Sequence, residues 1–262
     1  MRPYQARGVG WLRFLGQLGL GACLADDMGL GKTAQLIGTV LADRIDEPTL
    51  VVCPTSVIGN WERELARFAP DLGVVVHHGS SRARTPRSLG AKRRRHDVFV
   101  TSYGLLARDI ELLERTVWGR LVLDEAQQVK NPHTAQAKAV QRLRAGRRIA
   151  MTGTPVENRL SELWAVMQAV NPGLLGSLRS FSQRFAIPVE RDGDDEAAAR
   201  LQRLTGPFVL STGTVEERID AMITRKRELA GKVVAAGETW ITELADDDLR
   251  DLLTYNPLGE EG

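Results

Sequence analysis

The chain has 262 residues, of which 43% are hydrophobic and 26% charged, with a formal net charge of +2. No apolar run approaches the ~20 residues of a membrane-spanning helix, and Arg13 interrupts the apolar start, which excludes a secretory signal. Two cysteines, Cys23 and Cys53, exclude a disulfide framework and a cysteine-based metal site. We therefore expect a globular cytoplasmic protein, nucleoid-associated or nuclear if the host is eukaryotic, with no membrane partner.

Six short apolar runs predict buried strands, and helical patterns lie between several of them. The strands are expected at Ala22–Ala25, Leu50–Cys53, Val74–His77, Val98–Thr101, Leu121–Leu123 and Ile149–Met151. The helical patterns are Lys32–Ala42, Ala135–Leu143 and Leu160–Val170. This alternation predicts an α/β fold with an open parallel sheet, whose ligand binds at the carboxyl ends of the strands.

Charge is unevenly distributed along the chain. Seven Arg and Lys residues and no acid lie between Arg82 and Arg95, whereas Glu190 to Glu196 holds five acids and one Arg. The basic run is typical of either a nucleic-acid contact or a solvated loop, and both interpretations stay open.

The pattern becomes less regular after Asn171, and a strongly amphipathic helix follows Ser211. Thr214 and Glu217 form a capping box at its start, and Gly231 ends it.

The stretch "DDMGLGKT" joins a predicted strand to a predicted helix through a glycine-bearing turn. Gly29 and Gly31 permit a tight turn that aims backbone N–H groups at phosphate oxygens. Lys32 would reach the β- and γ-phosphates, and the Thr33 hydroxyl would bind Mg²⁺. Asp26 occupies the position where the general pattern has glycine. From these residues alone, the alternative is a chance glycine-rich turn.

The stretch "RLVLDEAQ" is an apolar strand that ends in two adjacent acids. Asp124 would hold Mg²⁺, and Glu125 would polarise the attacking water. Two acids that cap a following helix are the alternative, which the upstream glycine loop disfavours.

The stretch "MTGTPVEN" has both a structural and a functional interpretation. Thr154 caps a helix, Pro155 occupies its first position and Glu157 completes a capping box. Because this account leaves Thr152 and Gly153 unexplained, a functional role stays open.

Five segments in this order resemble the motifs of Swi/Snf-type DNA-dependent ATPases of helicase superfamily two. They are "RPYQARGVGWL", "DDMGLGKTAQ", "VVCPTSVIGNWERE", "LVLDEAQQVKN" and "MTGTPVEN". The resemblance implies a RecA-like P-loop sheet with helices on both faces and a C-terminal helical tail. It also implies ATP and Mg²⁺ as ligands, and duplex DNA as a partner bound through its phosphate backbone.

The resemblance assigns roles to individual residues. Gln5 would read adenine, and the acid at Asp26 matches the family. Nucleotide contacts are implied for Asp26, Met28, Gly29, Leu30, Gly31, Lys32, Thr33 and Ala34. Gln127, where many relatives have His, would act beside Lys32, Asp124 and Glu125 and link the γ-phosphate to the coupling residues Thr152, Gly153 and Thr154. Contacts with the DNA backbone are implied for Thr55, Ser56, Thr101 and Ser102.

The family has two RecA-like lobes, and the second supplies an arginine finger. In the family, the "FVL" segment at the end of the first lobe is followed by a whole further lobe. Here the segment that resembles the end of the second lobe begins at Ser211, directly after Leu210, so we expect residues 1–210 to form the first lobe. Residues 211–262 resemble the end of a second lobe that is mostly absent. The nearest string to the arginine motif, Gln141–Arg148, is interpreted as a basic solvated helix end of the first lobe.

We therefore expect the chain to bind ATP·Mg²⁺ with impaired turnover unless a second chain supplies the arginine. A non-hydrolysing ATP-dependent binding module and a non-functional remnant stay open as alternatives.

Overall fold

The computed structural model describes residues 1–26, 29–80, 82–153 and 159–211. Within them, seven strands form one sheet in the order β3-β4-β2-β5-β6-β1-β7, and all neighbours are parallel. The strands are β1 (Ala22–Leu24), β2 (Thr49–Cys53), β3 (Val74–Val76), β4 (Val98–Ser102), β5 (Val117–Asp124), β6 (Arg144–Met151) and β7 (Val209–Leu210). The predicted open parallel α/β sheet is confirmed.

Helices cover both faces of the sheet, as the resemblance implied. They are α1 (Pro3–Gln17), α2 (Lys32–Ala42), α3 (Ile58–Phe68), α4 (Pro86–Arg93), α5 (Tyr103–Arg108), α6 (Ile110–Leu113), α7 (Ala135–Arg142), α8 (Leu160–Val170), α9 (Leu178–Phe181), α10 (Ile187–Glu190) and α11 (Asp195–Thr205). A π-helical turn, Ser182–Ala186, joins α9 to α10. None of the helices in these ranges is long and apolar enough to cross a membrane.

Two hydrophobic cores lie on opposite faces of the sheet. Along β2, Leu50 and Val52 join one core, whereas Val51 and Cys53 join the other. Successive strand side chains point to opposite faces, so a strand buried on both faces needs apolar residues throughout. Helices α1, α2 and α3 pack on the Val51 face, and helices α5 to α8 with α11 pack on the Leu50 face.

The six predicted strands are present; β1 to β4 differ from the prediction by one residue at an end, whereas β5 and β6 are several residues longer. Strand β5 begins at Val117 and β6 at Arg144, several residues before their apolar runs. The first residues of these strands do not continue the apolar runs, because Gly119 and Arg120 interrupt β5 and three of the first five residues of β6 are arginines. Strand β7 was not predicted because its two residues are too short for a periodic pattern.

The interpretation of Gln141–Arg148 as a solvated helix end is wrong for its second half. Helix α7 ends at Arg142, and Arg144 to Arg148 belong to β6. The guanidinium group of Arg148 donates hydrogen bonds to the carbonyl oxygens of Val140, Leu143 and Ala169, at 3.5, 2.5 and 3.0 Å. Strand β6 pairs with β1, the strand before the glycine loop, in keeping with the expected place of this segment in the first lobe.

Both charged runs contain helices that the sequence did not indicate. In the basic run, Thr85 caps α4 and Pro86 is its first residue, so the solvated-loop interpretation is wrong there. In the acidic run, the Asp194 side chain accepts a hydrogen bond from Ala197 N at 2.9 Å and starts α11. Acids in the first turn complement the positive end of the helix dipole, which explains their position.

Some predicted features lie outside the described residues. They are the turn at Thr154, Pro155 and Glu157, the residue Met28, and the helix that begins near Thr214.

Candidate functional site

The sheet topology brings the predicted site segments to one edge. Strand β6 lies between β1, which leads into the glycine loop, and β5, which ends at Asp124. All strands are parallel, so their carboxyl ends meet at the same edge. Thr152, directly after β6, therefore lies between the glycine loop and the acidic pair, and its N–H donates to Leu24 O at 3.1 Å.

The glycine loop leads into the 11-residue helix α2. Gly31, the N-cap residue, has φ 74° and ψ 41°, a left-handed conformation that favours glycine, and no side chain caps the helix. A Cβ atom on Gly31 would come within 2.5 Å of Gln5 Nε2. Backbone N–H groups at a helix start without a side-chain cap are suited to anion binding, and a phosphate at this position stays a prediction.

Two residues at the start of α1 contact the glycine loop. Gln5 Nε2 donates a hydrogen bond to Leu30 O at 3.3 Å, and the Tyr4 hydroxyl donates to the same oxygen at 3.1 Å. Gln5, predicted as a nucleotide contact, therefore reaches the loop, and Tyr4 reaches it as well. The sequence did not single out Tyr4.

Asp26 is only 3% exposed. The carboxylate accepts a hydrogen bond from Gln35 Nε2 at 3.1 Å, while its main-chain carbonyl accepts one from Lys32 Nζ at 2.6 Å. The ammonium group of Lys32 therefore lies across the start of the glycine loop. Contact of Asp26 with a nucleotide stays a prediction.

Asp124 is held in place from both faces of the sheet. Trp61 Nε1 donates to Asp124 Oδ2 at 2.8 Å, and the Tyr103 hydroxyl donates to Asp124 O at 2.8 Å. Trp61 belongs to the core on the α3 face and Tyr103 to the core on the α5 face. Neither aromatic was predicted to contact Asp124: Tyr103 was noted only as part of the Thr101–Tyr103 stretch that resembles a DNA contact, and an isolated buried Trp in a sequence indicates only core packing.

The electrostatics of Asp124 reflect its burial. Burial and then the Glu125 carboxylate raise the pKa of Asp124 above its ordinary value. The Trp61 hydrogen bond, the Glu125 N–H and the positive charge of Lys32 partly lower the pKa again. The positive charge of Lys32, at the start of α2, therefore acts on the Asp124 carboxylate at the end of β5.

A hydrogen-bonded chain links the acidic pair to β6. Gln127 Nε2 donates to Glu125 Oε2 at 2.7 Å, and Thr152 Oγ1 donates to Gln127 Oε1 at 3.0 Å. Glu125 has φ 50° and ψ 58°, a left-handed conformation uncommon for a residue other than glycine. Strain of this kind costs about 1–3 kcal/mol and clusters at functional sites. The predicted proximity of Gln127 to Thr152 is therefore observed, and their coupling role stays a prediction.

The four predicted DNA contacts lie at the ends of β2 and β4, which are neighbours with Cys53 opposite Ser102. Thr55 and Ser56 are exposed. The Thr101 hydroxyl is buried and donates to His77 O at 3.0 Å, and Ser102 Oγ accepts from Leu105 N at 3.3 Å to cap α5. This placement favours Thr55 and Ser56 as direct contacts.

Comparisons with known proteins show the family to which this sheet and these motifs belong. The family model described as "SNF2-related domain" matches residues 4–235. The chain belongs to this family. A putative ATP-dependent helicase/translocase of Bacillus subtilis, YwqA, is 45% identical over 232 residues, which cover 87% of this chain and 25% of YwqA.

Two further relatives extend the comparison. The TATA-binding protein-associated factor MOT1 of Saccharomyces cerevisiae is 36% identical over 217 residues, which cover 77% of this chain and 12% of MOT1. The SWI2/SNF2 ATPase core of Sulfolobus solfataricus in complex with dsDNA has a TM-score of 0.73 and 36% identity, with 96% of this chain and 56% of that chain covered.

The SNF2-related chain thus spans a quarter or less of these two curated relatives and just over half of the solved ATPase core. It corresponds to part of an SNF2-type helicase domain, as the sequence motifs predicted.

Proposed function

We propose that this SNF2-related chain is the ATP-binding lobe of a DNA-dependent ATPase or translocase. One observation carries the proposal: an uncapped helix with a left-handed glycine and Lys32 at its start shares a sheet edge with Asp124 and Glu125. These are the groups that a nucleoside triphosphate and its metal ion require.

The nucleotide would lie over the start of α2. The N–H groups after Gly31 would bind phosphate oxygens. Gln5, whose side chain donates to Leu30 O in the loop, would contact the adenine base. Lys32 Nζ donates to a neutral carbonyl oxygen, Asp26 O. A phosphate oxygen is a stronger acceptor for this ammonium group because the bond is assisted by both charges.

The residues present also fit Mg²⁺. This ion is typically held by one or two side-chain oxygens together with substrate phosphates, and it neutralises charge that develops on them. Thr33 and Asp124 would be its ligands. Trp61 and the Glu125 N–H orient the Asp124 carboxylate, and each carboxylate oxygen retains further acceptor capacity.

Glu125 would orient and activate the attacking water, with Gln127 holding its carboxylate through Nε2. Duplex DNA would bind along the ends of β2 and β4, where Thr55 and Ser56 are exposed. Hydroxyl and N–H contacts of this kind bind phosphates without reading bases, so affinity should fall steeply with salt.

Turnover of the chain alone should be slow. No segment of its sequence resembles the arginine motif, and an arginine finger contributes about 10³–10⁵ in phosphoryl transfer. A second chain that supplies this arginine would make hydrolysis rise faster than linearly with protein concentration. An ATP-dependent binding module without useful turnover is the second candidate, favoured by the same missing motif.

Steady-state ATP hydrolysis at several protein concentrations, with and without duplex DNA, tests the proposal, with Glu125→Gln as the blank. Hydrolysis that DNA stimulates and Glu125→Gln abolishes would support the ATPase. ATP·Mg²⁺ binding with turnover equal to the blank would support the binding module. A chain that binds neither ATP nor DNA would contradict both.

A further inference from the structure

Asp124 receives hydrogen bonds from two aromatic side chains that approach it from opposite faces of the sheet. Trp61 holds its carboxylate and Tyr103 its main-chain carbonyl, each at 2.8 Å. Both are deeply buried, with exposed fractions of 1% and 4%. Both hydrogen bonds end on the same residue, so a displacement of either aromatic would strain or break one of the contacts that orient Asp124.

Each aromatic also follows one of the two segments predicted to contact DNA, Trp61 five residues after Ser56 and Tyr103 directly after Ser102. Thr55 and Ser56 belong to a short 3₁₀ turn, Thr55–Val57, that runs straight into α3, and Trp61 lies in the first turn of α3. Thr101 and Ser102 end β4, and Tyr103 is the first residue of α5.

Local hydrogen bonds fix the backbone that connects each segment to its aromatic. Val57 N donates to Pro54 O at 3.1 Å, which closes the turn before α3. Ser102 Oγ caps α5 through Leu105 N, and Thr101 Oγ1 donates to His77 O at 3.0 Å. A displacement of either loop by a bound phosphate backbone would therefore move the adjacent aromatic as one body.

We propose that Trp61 and Tyr103 are positioning residues that couple occupancy of the two DNA-contact segments to the placement of Asp124. The inference rests on the proposed function, in which DNA binds at these segments and Asp124 holds the metal of the nucleotide. It assigns the communication between the two sites to two hydrogen bonds rather than to closure of the whole lobe.

The alternative is that both side chains only fill the cores. A purely structural loss would weaken nucleotide binding equally with and without DNA. A coupling loss would change the ratio of the two affinities, because coupling is a free energy between sites and not a property of either. This ratio is therefore the measurement that separates the two roles.

The experiment measures the dissociation constant of Mg²⁺ with a slowly hydrolysed ATP analogue by calorimetry, in the absence and presence of saturating short duplex DNA. The variants are Tyr103→Phe, which removes one hydroxyl, and Trp61→Phe, which removes the indole donor. The control is Trp118→Phe, because Trp118 is also fully buried but donates to Leu113 O at 3.2 Å, in another part of the core.

We expect DNA to tighten analogue binding by about five- to 150-fold in the unmodified chain, the usual range for coupled sites. Tyr103→Phe and Trp61→Phe should each lower this ratio at least threefold, and Trp118→Phe should leave it unchanged. Tyr103→Phe keeps the test valid if Trp61→Phe fails to fold.

An unchanged ratio in Tyr103→Phe, or a loss in Trp118→Phe of the same size, would overturn the inference while leaving the proposed function intact. A ratio of one in the unmodified chain, with analogue and DNA both bound, would have the same meaning. Absence of analogue or DNA binding would instead contradict the proposed function, and the inference with it.

Discussion

Thr152 donates its hydroxyl hydrogen to Gln127 Oε1, 3.0 Å away, and so joins the end of β6 to the turn that follows β5. Gln127 in turn holds Glu125 through its Nε2 at 2.7 Å. Because β6 lies between β5 and β1, this two-bond chain runs along the sheet edge between the acidic pair and the glycine loop.

Thr152→Val should impair communication rather than nucleotide binding. The substitution keeps the shape of the side chain but leaves Gln127 Oε1 without this donor, a loss of about 1 kcal/mol or about fivefold. We expect DNA-stimulated ATP hydrolysis to fall about fivefold with little change in the dissociation constant for ATP. Thr152→Ser, which retains a hydroxyl, is the control and should preserve most of the stimulation. A fivefold loss of ATP affinity in Thr152→Val would argue against this role.

Lys32→Ala should abolish tight ATP·Mg²⁺ binding while the fold persists. Hydrogen bonds to charged groups contribute about 1.5–3 kcal/mol, so the dissociation constant should rise about 10- to 100-fold. The matched control is Lys138→Ala, because Lys138 is an exposed lysine of α7, away from the sheet edge that carries the site. Equilibrium binding of a fluorescent ATP analogue measures both, and equal affinity in the two variants would refute the phosphate-binding role of Lys32.

Arg148→Met should destabilise the fold by about 2–4 kcal/mol because it removes the guanidinium donor from the carbonyl oxygens of Leu143 and Ala169, and one of two donors from that of Val140. Burial lowers the pKa of Arg148, yet these acceptors compensate for the buried charge. Arg144→Met, an exposed position of the same strand, should leave the midpoint of urea unfolding unchanged. Equal midpoints for the two variants would contradict the structural role of Arg148.

Cys53 should resist thiol reagents until the protein opens. Burial, and secondarily the negative charge of Asp124, raises the pKa of Cys53 to about 12. At pH 8 only about one thiol in 10⁴ is ionised, and the thiolate is the reactive form. In a Cys23→Ala variant, which leaves Cys53 as the single thiol, labelling by a disulfide reagent should be slow from pH 7 to 9 and become rapid in denaturant. Rapid labelling of the folded chain at pH 8 would contradict the buried position.

The nucleotide motifs and the most periodic elements follow from the sequence alone. Helices α2 and α8 begin and end where the sequence predicts, because α2 has an apolar face and α8 is apolar over most of its three turns. Lys32, Asp124 and Glu125 are recognisable because a glycine turn before a helix and an acidic strand end are local patterns.

Tertiary structure alone decided how these local patterns meet. The order of strands, with β6 between β5 and β1, depends on contacts between residues far apart in the chain, which local periodicity does not record. The same holds for Trp61 and Tyr103. They donate hydrogen bonds to Asp124 only because α3 and α5 pack on opposite faces of the sheet. Residue type and spacing determine which hydrogen bonds a side chain can make, and packing determines the partner with which it makes them.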